Sequence, residues 1–399
     1  MSVLAAFMVP HPPMIVPAVG QGSEEQILET TRAYERVADE VAALEPETII
    51  ITSPHSVMYA DYFHLSPGKG AKGSFRQFRA PQVRFSEQYD TELVQKICDL
   101  AAAENFPAGT LGERDSALDH GTMVPLWFLR NKYKDGKIVR IGLSGLPLTE
   151  HYRLGQFIAE AVDQTGRRAV IIASGDLSHK LQDYGPYGFA AEGPEYDRRI
   201  MDVCGRGAFG ELFEFSETFC DRAAECGHRS FVIMAGAFDG LRVKATELSH
   251  QDVTGVGYGI CTFYPDGEDE TRHFLKDYNE RLERECRERA EKSDAYVRLA
   301  RASVEAWVRG RQHIAVPEGL PDEMLTRRAG TFVSIHEHGA LRGCIGTIMA
   351  TQDNIAEEII QNAISACSSD PRFPPITPAE LPALEISVDV LGDLEPIAS

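Results

Sequence analysis

The chain has 399 residues, 43% of them hydrophobic and 25% charged, so it is long enough for two or three domains, each with its own core. Its 60 acidic residues outnumber 40 Lys and Arg, giving a formal net charge of −20. That charge repels phosphate backbones and anionic bilayers, so neither nucleic acid nor a membrane surface is an expected partner.

In chain order, Val3 to Val9 is an apolar run that stops at Pro10-His11-Pro12-Pro13, where prolines remove backbone donors, and it reads as a buried strand. Ser23 followed by Gln26 is a capping-box pattern. Behind it Ile27, Thr31, Tyr34, Val37, Val41 and Leu44 fall on one helical face. A second buried strand, 48–52, ends at Ser53-Pro54-His55. Residues 138–144 predict a strand and 151–164 a helix. Residues 168–173 predict a third strand, ending in Ser174-Gly175-Asp176-Leu177-Ser178-His179. Strands alternating with helices imply an α/β sheet with helices on its faces, and such sheets bind ligands beyond the carboxyl ends of their strands. Residues 242–248 and 257–263 read as strands closing this first domain.

From Asp266 to about Ser293 charges of both signs crowd together, with opposite charges four apart at Glu280/Arg284, Glu283/Arg287 and Glu285/Arg289. This predicts a solvated helix. It sets the expected boundaries at 1–266 for the first domain, 267–292 for a charged helical linker and 293–399 for a second domain. In the second domain 296–307 reads as a helix, 331–335 as a strand, 355–367 as a helix and 384–391 as a strand. The chain stops soon after that strand, so this domain is expected to be truncated. The eight cysteines are scattered and form no CxxC pair, which reads as reduced cytosolic thiols. The start, MSVLAAFMVPHPP, has no basic n-region and predicts no signal peptide. No apolar run approaches the roughly 18 residues of a membrane span, so the expected location is the cytoplasm.

Five histidines of the first domain stand in chemically suggestive settings: His11, His55, His120, His179 and His228. Metal chemistry with dioxygen commonly uses two imidazoles and a carboxylate on one face of the ion. His11 and His55, each just past a strand, fit the two imidazoles; the bland alternative is a pair of turn histidines beside proline. His179, in a loop of small residues, suits proton transfer. Alternatively, Asp176 and Ser178 cap the next helix and leave it exposed. His120 could contact bound oxygen or substrate, with Asp119 orienting a ring nitrogen. His64, His151, His250 and His273 lack such context and are expected at the surface. Tyr59, Trp127, Phe128 and Tyr187 fit a pocket lining or a core equally well.

The segments MVPHPPMIVP, TIIITSPHS, ALDHGTMVPLWFL and VIIASGDLSHKL together resemble the class III extradiol ring-cleavage dioxygenases of LigB-like fold, over roughly residues 1–265. The fold this implies is α/β, a mixed sheet with flanking helices. The resemblance implies Fe(II) held by His11, His55 and a glutamate, with His179 as acid–base residue and His120 as a second active-site histidine. It also implies O2-dependent opening of a small catechol-like aromatic substrate. The third ligand falls in Ala223-Ala224-Glu225-Cys226-Gly227-His228. Glu225 is expected first because a hard carboxylate suits Fe(II). Memo-like relatives carry a cysteine in a similar Cys-Gly context, which makes Cys226 the alternative and opens the way to Zn or Cu. His228 is a third option.

The segments AGTFVSIHEHGALRGCIGT, AISACSSDPRFPPIT and LEISVDVL resemble the AMMECR domain over roughly residues 294–399, which implies a smaller α+β fold. Arg342 and Cys344 stand where ligand contact is plausible, and Gly343 and Gly346 would permit positive backbone angles or close approach. A Memo-like domain joined to an AMMECR-like one also resembles the AmmeMemoRadiSam system, which implies a radical-SAM protein as partner. A Memo-like scaffold without enzymatic activity is the alternative to a dioxygenase. The LigB-like resemblance also leaves room for a homo-oligomer.

Overall fold

The computed structural model describes residues 3–113, 116–337, 340–378 and 380–392, without the side chain of residue 290. The chain separates into two compact units, 1–275 and 276–399. Among the described residues no helix is long and apolar enough to cross a membrane.

Among the described residues the first unit contains ten strands: β1 (Val3–Val9), β2 (Thr48–Ser53), β3 (Phe63–His64), β4 (Gly70–Phe75), β5 (Ala80–Gln88), β6 (Ala108–Gly109), β7 (Lys137–Gly142), β8 (Ala169–Ser174), β9 (Leu241–Gln251) and β10 (Tyr258–Glu268). Its helices are α1 (Pro17–Gly20), α2 (Leu28–Leu44), α3 (Thr91–Ala103), α4 (His120–Lys132), α5 (Leu148–Thr165), α6 (Glu192–Arg206), α7 (Glu217–Ala223) and α8 (His228–Gly236). Six strands form one mixed sheet in the order β7-β2-β8-β1-β10-β9. The first four run parallel; β10 and β9 add antiparallel strands at one side.

β2 and β8 are buried along their whole length, which is why their sequences are continuous apolar runs rather than alternations. Phe7, Val9, Ile49, Ile51, Val170 and Ile172 share a core with Tyr34, Val37 and Val41 of α2 and with Val124 and Phe128 of α4. α5 and α8 pack together and reach β1 and β8. Register decides the site: Val9 lies opposite Ser174 and Thr52 opposite Ala173, so β1, β8 and β2 end side by side. The segments that follow them, carrying His11, residues 175–179 and His55, therefore leave from one edge of the sheet.

The second unit packs helices over Ala295–Gly310 and Ile355–Ser368 against a three-stranded antiparallel sheet. The strands are β11 (Thr331–Glu337), β12 (Ala340–Gly346) and β13 (Leu384–Val390), in the order β12-β11-β13. The charged stretch is a helix over Phe274–Lys292, where Arg287 pairs with Glu283 at 3.9 Å and Arg289 reaches Glu385 of β13 at 2.8 Å.

Four local expectations are corrected. Ser23 does not cap α2: its hydroxyl donates to the Gly20 carbonyl at 2.5 Å, and a 3-10 turn over Ser23–Ile27 precedes the helix. Asp176 and Ser178 cap no helix, since the next one starts at Glu192. His64 and His151 are buried rather than exposed. The His151 ring spans the Pro147 carbonyl at 3.0 Å and the Ser144 N–H at 3.4 Å, and burial holds it neutral, lowering its pKa to about 3. Gly343 and Gly346 have no positive φ; they lie in β12, where a Cβ would meet the Ala366 carbonyl at 2.3 Å and the Phe332 ring at 2.3 Å. Their role is close approach.

Candidate metal centre

His11 stands two residues past β1, fixed at both ends. Its backbone N–H donates to Asp176 Oδ1 at 2.7 Å, and its Nδ1 lies 2.9 Å from Ser174 Oγ. The Ser174 hydroxyl spends its proton on the Gly121 carbonyl at 2.6 Å, so it can only accept from the ring. His11 therefore carries its proton on Nδ1 and presents the Nε2 lone pair, as a metal ligand must. His55 stands two residues past β2, with its N–H donating to Ser53 Oγ at 3.2 Å. The Ser53 hydroxyl donates to Asp119 Oδ1 at 2.6 Å. The two Nε2 atoms face each other at 3.0 Å.

The third donor comes from the turn before α8. A Cβ on Gly175 would lie 2.0 Å from Gly227 Cα, so only glycine lets the 174–179 and 225–228 loops touch backbone to backbone. Cys226 N–H donates to the Asp176 carbonyl, and Asp176 N–H donates to Cys226 Sγ, both at 3.3 Å. This pairing leaves Cys226 Sγ 3.6 Å from His11 Nε2. The donor atoms of His11, His55 and Cys226 all lie within 4.8 Å of one another, the one such grouping of His, Cys, Asp and Glu among the described residues.

The carboxylate expected first as third ligand is engaged elsewhere. Glu225 is half-buried, accepts the His228 N–H at 2.6 Å at the start of α8, and is pushed up to about 7 by desolvation. His228 spends both ring nitrogens, on Tyr196 Oη at 3.3 Å and on the Leu212 carbonyl at 3.0 Å.

These donors fit an ion. Bonds of about 2.0–2.1 Å to nitrogen and about 2.3 Å to sulfur, tetrahedrally arranged, place N and S roughly 3.6 Å apart. Burial, then the neighbouring imidazole, lowers the His11 pKa well below its usual value, and burial lowers that of His55, so both are neutral donors near pH 7. Burial, then Asp176, pushes the Cys226 thiol well up, so only a bound cation would draw out its thiolate.

His120 opens α4, whose N-terminus Asp119 caps by accepting the Thr122 N–H at 3.0 Å. Its ring lies over His55 with centroids 3.9 Å apart, and burial, then His55 and His11, lowers its pKa to about 4. A Cβ on Gly121 would strike Ser53 Oγ at 2.3 Å, so the glycine lets α4 come this close. His179 leaves the sheet in the loop after β8, with a buried Nδ1 that has no hydrogen-bond partner among the described residues and an edge-on contact to the exposed Tyr187 at 5.1 Å. It is close enough that its charge would lower the pKa values of His11 and His55.

A cavity of about 1400 Å3 opens beside His55 and His120, with Val57, Met58, Tyr59 and Met123 among its walls. Of the aromatics singled out from sequence, Tyr59 lines it, whereas Phe128 stacks on Tyr34 in the core and Trp127 packs edge-on against Phe128. The hairpin of β4 and β5, which lines the cavity, was missed in sequence; its glycines and mixed charge hide a two-residue alternation.

Residues 5–261 match the family model described as the catalytic LigB subunit of aromatic ring-opening dioxygenase, and residues 297–399 match that of AMMECR1. A Clostridium acetobutylicum protein is 38% identical over 99% of this chain and 86% of its own length. A 2-aminophenol 1,6-dioxygenase beta subunit from a Pseudomonas species is 25% identical over 65% of this chain and 92% of its own length. A Thermotoga maritima protein is 47% identical over 26% of this chain, spanning 59% of its own length.

Proposed function

Because the chain belongs to the LigB family of aromatic ring-opening dioxygenase subunits, with an AMMECR1 domain joined to it, we propose that its first unit is a metal-dependent ring-opening dioxygenase. Its substrate would be an aromatic ring bearing adjacent hydroxyl, or hydroxyl and amino, groups. The observation that carries this reading is the meeting of His11 Nε2 and His55 Nε2 at 3.0 Å, with Cys226 beside them and a cavity at their edge.

Iron(II) bound by His11, His55 and Cys226 would supply the redox chemistry by which O2 adds to such a ring, both oxygen atoms entering the product without an external reductant. The protein's own residues do the rest. Ser174 and Asp176 fix the ring and backbone of His11, and Ser53 and Asp119 fix the backbone of His55. His120, neutral and facing the cavity, is placed to take a proton from a substrate hydroxyl. His179, across the loop, is the second proton-handling group.

The thiol in the donor set favours a second reading. Sulfur suits Zn or Cu better than a hard carboxylate does, so the same pocket could serve a Memo-like metal-holding scaffold acting with a radical-SAM partner. Protein purified without air, analysed for metal and tested for O2 uptake on catechol and 2-aminophenol, separates the two. Ring-opened product supports the dioxygenase. Stoichiometric zinc or copper without O2 uptake, even after exchange to iron(II), overturns it in favour of the scaffold.

A further inference from the structure

Away from the metal cluster, a buried carboxylate ties the loop of His179 to a half-buried histidine of another strand. His179 has no counterpart of the Ser174 hydroxyl that fixes His11: its Nδ1 is buried without a hydrogen-bond partner among the described residues. Its placement therefore falls to its backbone, and much of that task to Ser178. The Ser178 carbonyl accepts the Gly257 N–H at 2.8 Å, just before β10. The Ser178 hydroxyl donates to the Ala223 carbonyl at 2.8 Å and accepts the Lys180 N–H at 3.0 Å. The His179 N–H donates to the same Ala223 carbonyl at 3.2 Å. The Ser178 N–H donates to Asp197 Oδ1 of α6 at 2.9 Å. Of these ties, only the last ends on a titratable group.

The Asp197 side chain is 2% exposed, and its Oδ2 meets Nε2 of His250, on β9, at 2.7 Å; the His250 side chain is 30% exposed. A Cβ on Gly257 would lie 2.0 Å from Asp197 Oδ2, so only glycine leaves room for the carboxylate there. A carboxylate this buried is costly unless a cation and hydrogen bonds satisfy it. Burial raises the Asp197 pKa, against the hydrogen bonds from His250 and Ser178. The hydrogen bond to Asp197 raises the His250 pKa against partial burial, and the charges of Asp197, Asp252 and Glu247 add to it. The other neighbours of His250 are uncharged: Gly259 stands opposite it in β10, and Gln251, next in the strand, accepts from Thr30 of α2. The ion pair is thus complete below the ordinary histidine value of about 6.5, down to the raised value of Asp197. It is lost as pH rises through the higher value of the folded His250.

We propose that Asp197 and His250 are a positioning pair for His179, a charged clasp that holds its loop while His250 is protonated and loosens when that proton leaves. Without the imidazolium, Asp197 carries a buried charge that has lost its counter-charge. This favours states in which water reaches the carboxylate and Ser178 is released. The clasp also bears on the thiol, because Ala223, to which Ser178 and His179 are both tied, ends α7 three residues before Cys226. The proton-handling task of His179 rests on the reading of function above; the clasp rests on the contacts alone.

Hydrogen exchange in the full-length chain tests the clasp without any substrate. The measure is the protection of peptides spanning 177–181, corrected for intrinsic chemical rates, from about pH 6 to about pH 9. Peptides spanning 48–53, in β2, serve as the reference. In the natural chain, protection of 177–181 is expected to fall on the order of tenfold across that range while the reference holds. His250→Gln keeps a hydrogen-bond donor without a charge, and should show the loosened value throughout. Asp197→Asn keeps the acceptor for Ser178 and removes the charge, and should flatten the profile. Constant protection in the natural chain, or a fall that persists in either variant, overturns the proposal. Should a variant lose protection in 48–53 as well, it has unfolded, and the profile of the natural chain decides. A parallel arm follows O2 uptake by iron(II)-loaded protein on catechol over the same range. No uptake, with the exchange profile as expected, sinks ring opening and leaves the clasp standing. Uptake with a flat exchange profile sinks the clasp alone.

Discussion

Cys226 and Cys344 each stand next to a glycine, one in each unit, and their surroundings give them different chemistry. Cys226 meets two imidazoles at the edge of a mixed sheet, in a loop whose backbone is pinned to Asp176. Cys344 lies within β12, where its sulfur accepts from Ser334 Oγ at 3.2 Å and its N–H donates to Asp370 Oδ2 at 2.8 Å. The charged groups around it are already satisfied: Arg342 is bound to Glu380 at 2.6 Å and Arg372 to Asp370 at 2.7 Å. A thiol becomes a ligand when neutral donors and an open coordination position converge on it. Where ion pairs close the surroundings, it packs as a small polar side chain.

That contrast can be broken most sharply at the metal. His11→Ala or Cys226→Ala should lower metal affinity on the order of 100-fold or more, read as metal content after dialysis, whereas Cys344→Ala should leave it unchanged. Metal retained by the Cys226 variant would erase the distinction between the two cysteines. Ser174→Ala removes the acceptor that fixes the His11 tautomer, and a loss of about 10–100-fold in affinity is expected with the fold intact. An unchanged affinity would show that the tautomer is set by something else.

In the second unit the comparison is sharpened by Glu358, a buried carboxylate outside the candidate metal grouping. It accepts from Thr347 Oγ1, Thr351 Oγ1 and the backbone N–H groups of Thr351 and Gln352, all at 2.7–2.8 Å. Burial works to raise its pKa, but these hydrogen bonds prevail and leave it lowered. Its stabilisation is therefore full above the unfolded value of about 4.3 and lost as pH falls through the lower folded value. Glu358→Ala should cost about 2–4 kcal/mol in thermal or denaturant unfolding near pH 7, with the penalty shrinking in acid and metal content untouched. A penalty independent of pH would place the effect in packing instead. The smallest effect is expected from Glu225→Gln, which weakens the acceptor at the start of α8 at a cost of about 1 kcal/mol while metal is retained. Loss of metal in this variant would return the third position to the carboxylate.

Much of this molecule is legible in the chain itself. The apolar runs at β1, β2 and β8 announce strands because both faces of each are covered. The histidines two residues beyond β1 and β2 then follow as neighbours at one sheet edge. Less legible were His151, whose burial depends on partners in the 144–147 turn, and the β4–β5 hairpin, whose Lys72, Arg76 and Arg84 look like ordinary surface charge until the cavity is formed. Choosing between Glu225 and Cys226 was beyond sequence, because adjacent residues leave a turn in different directions.

The sequence by itself determined the two-unit order, the α/β character of the first unit and the imidazole pair, because strand periodicity and strand-end position are local properties. Only the tertiary structure brought the Cys226 sulfur beside that pair. The direction of the Cys226 side chain comes from the Gly175–Gly227 contact, an approach between loops some fifty residues apart that no local pattern encodes.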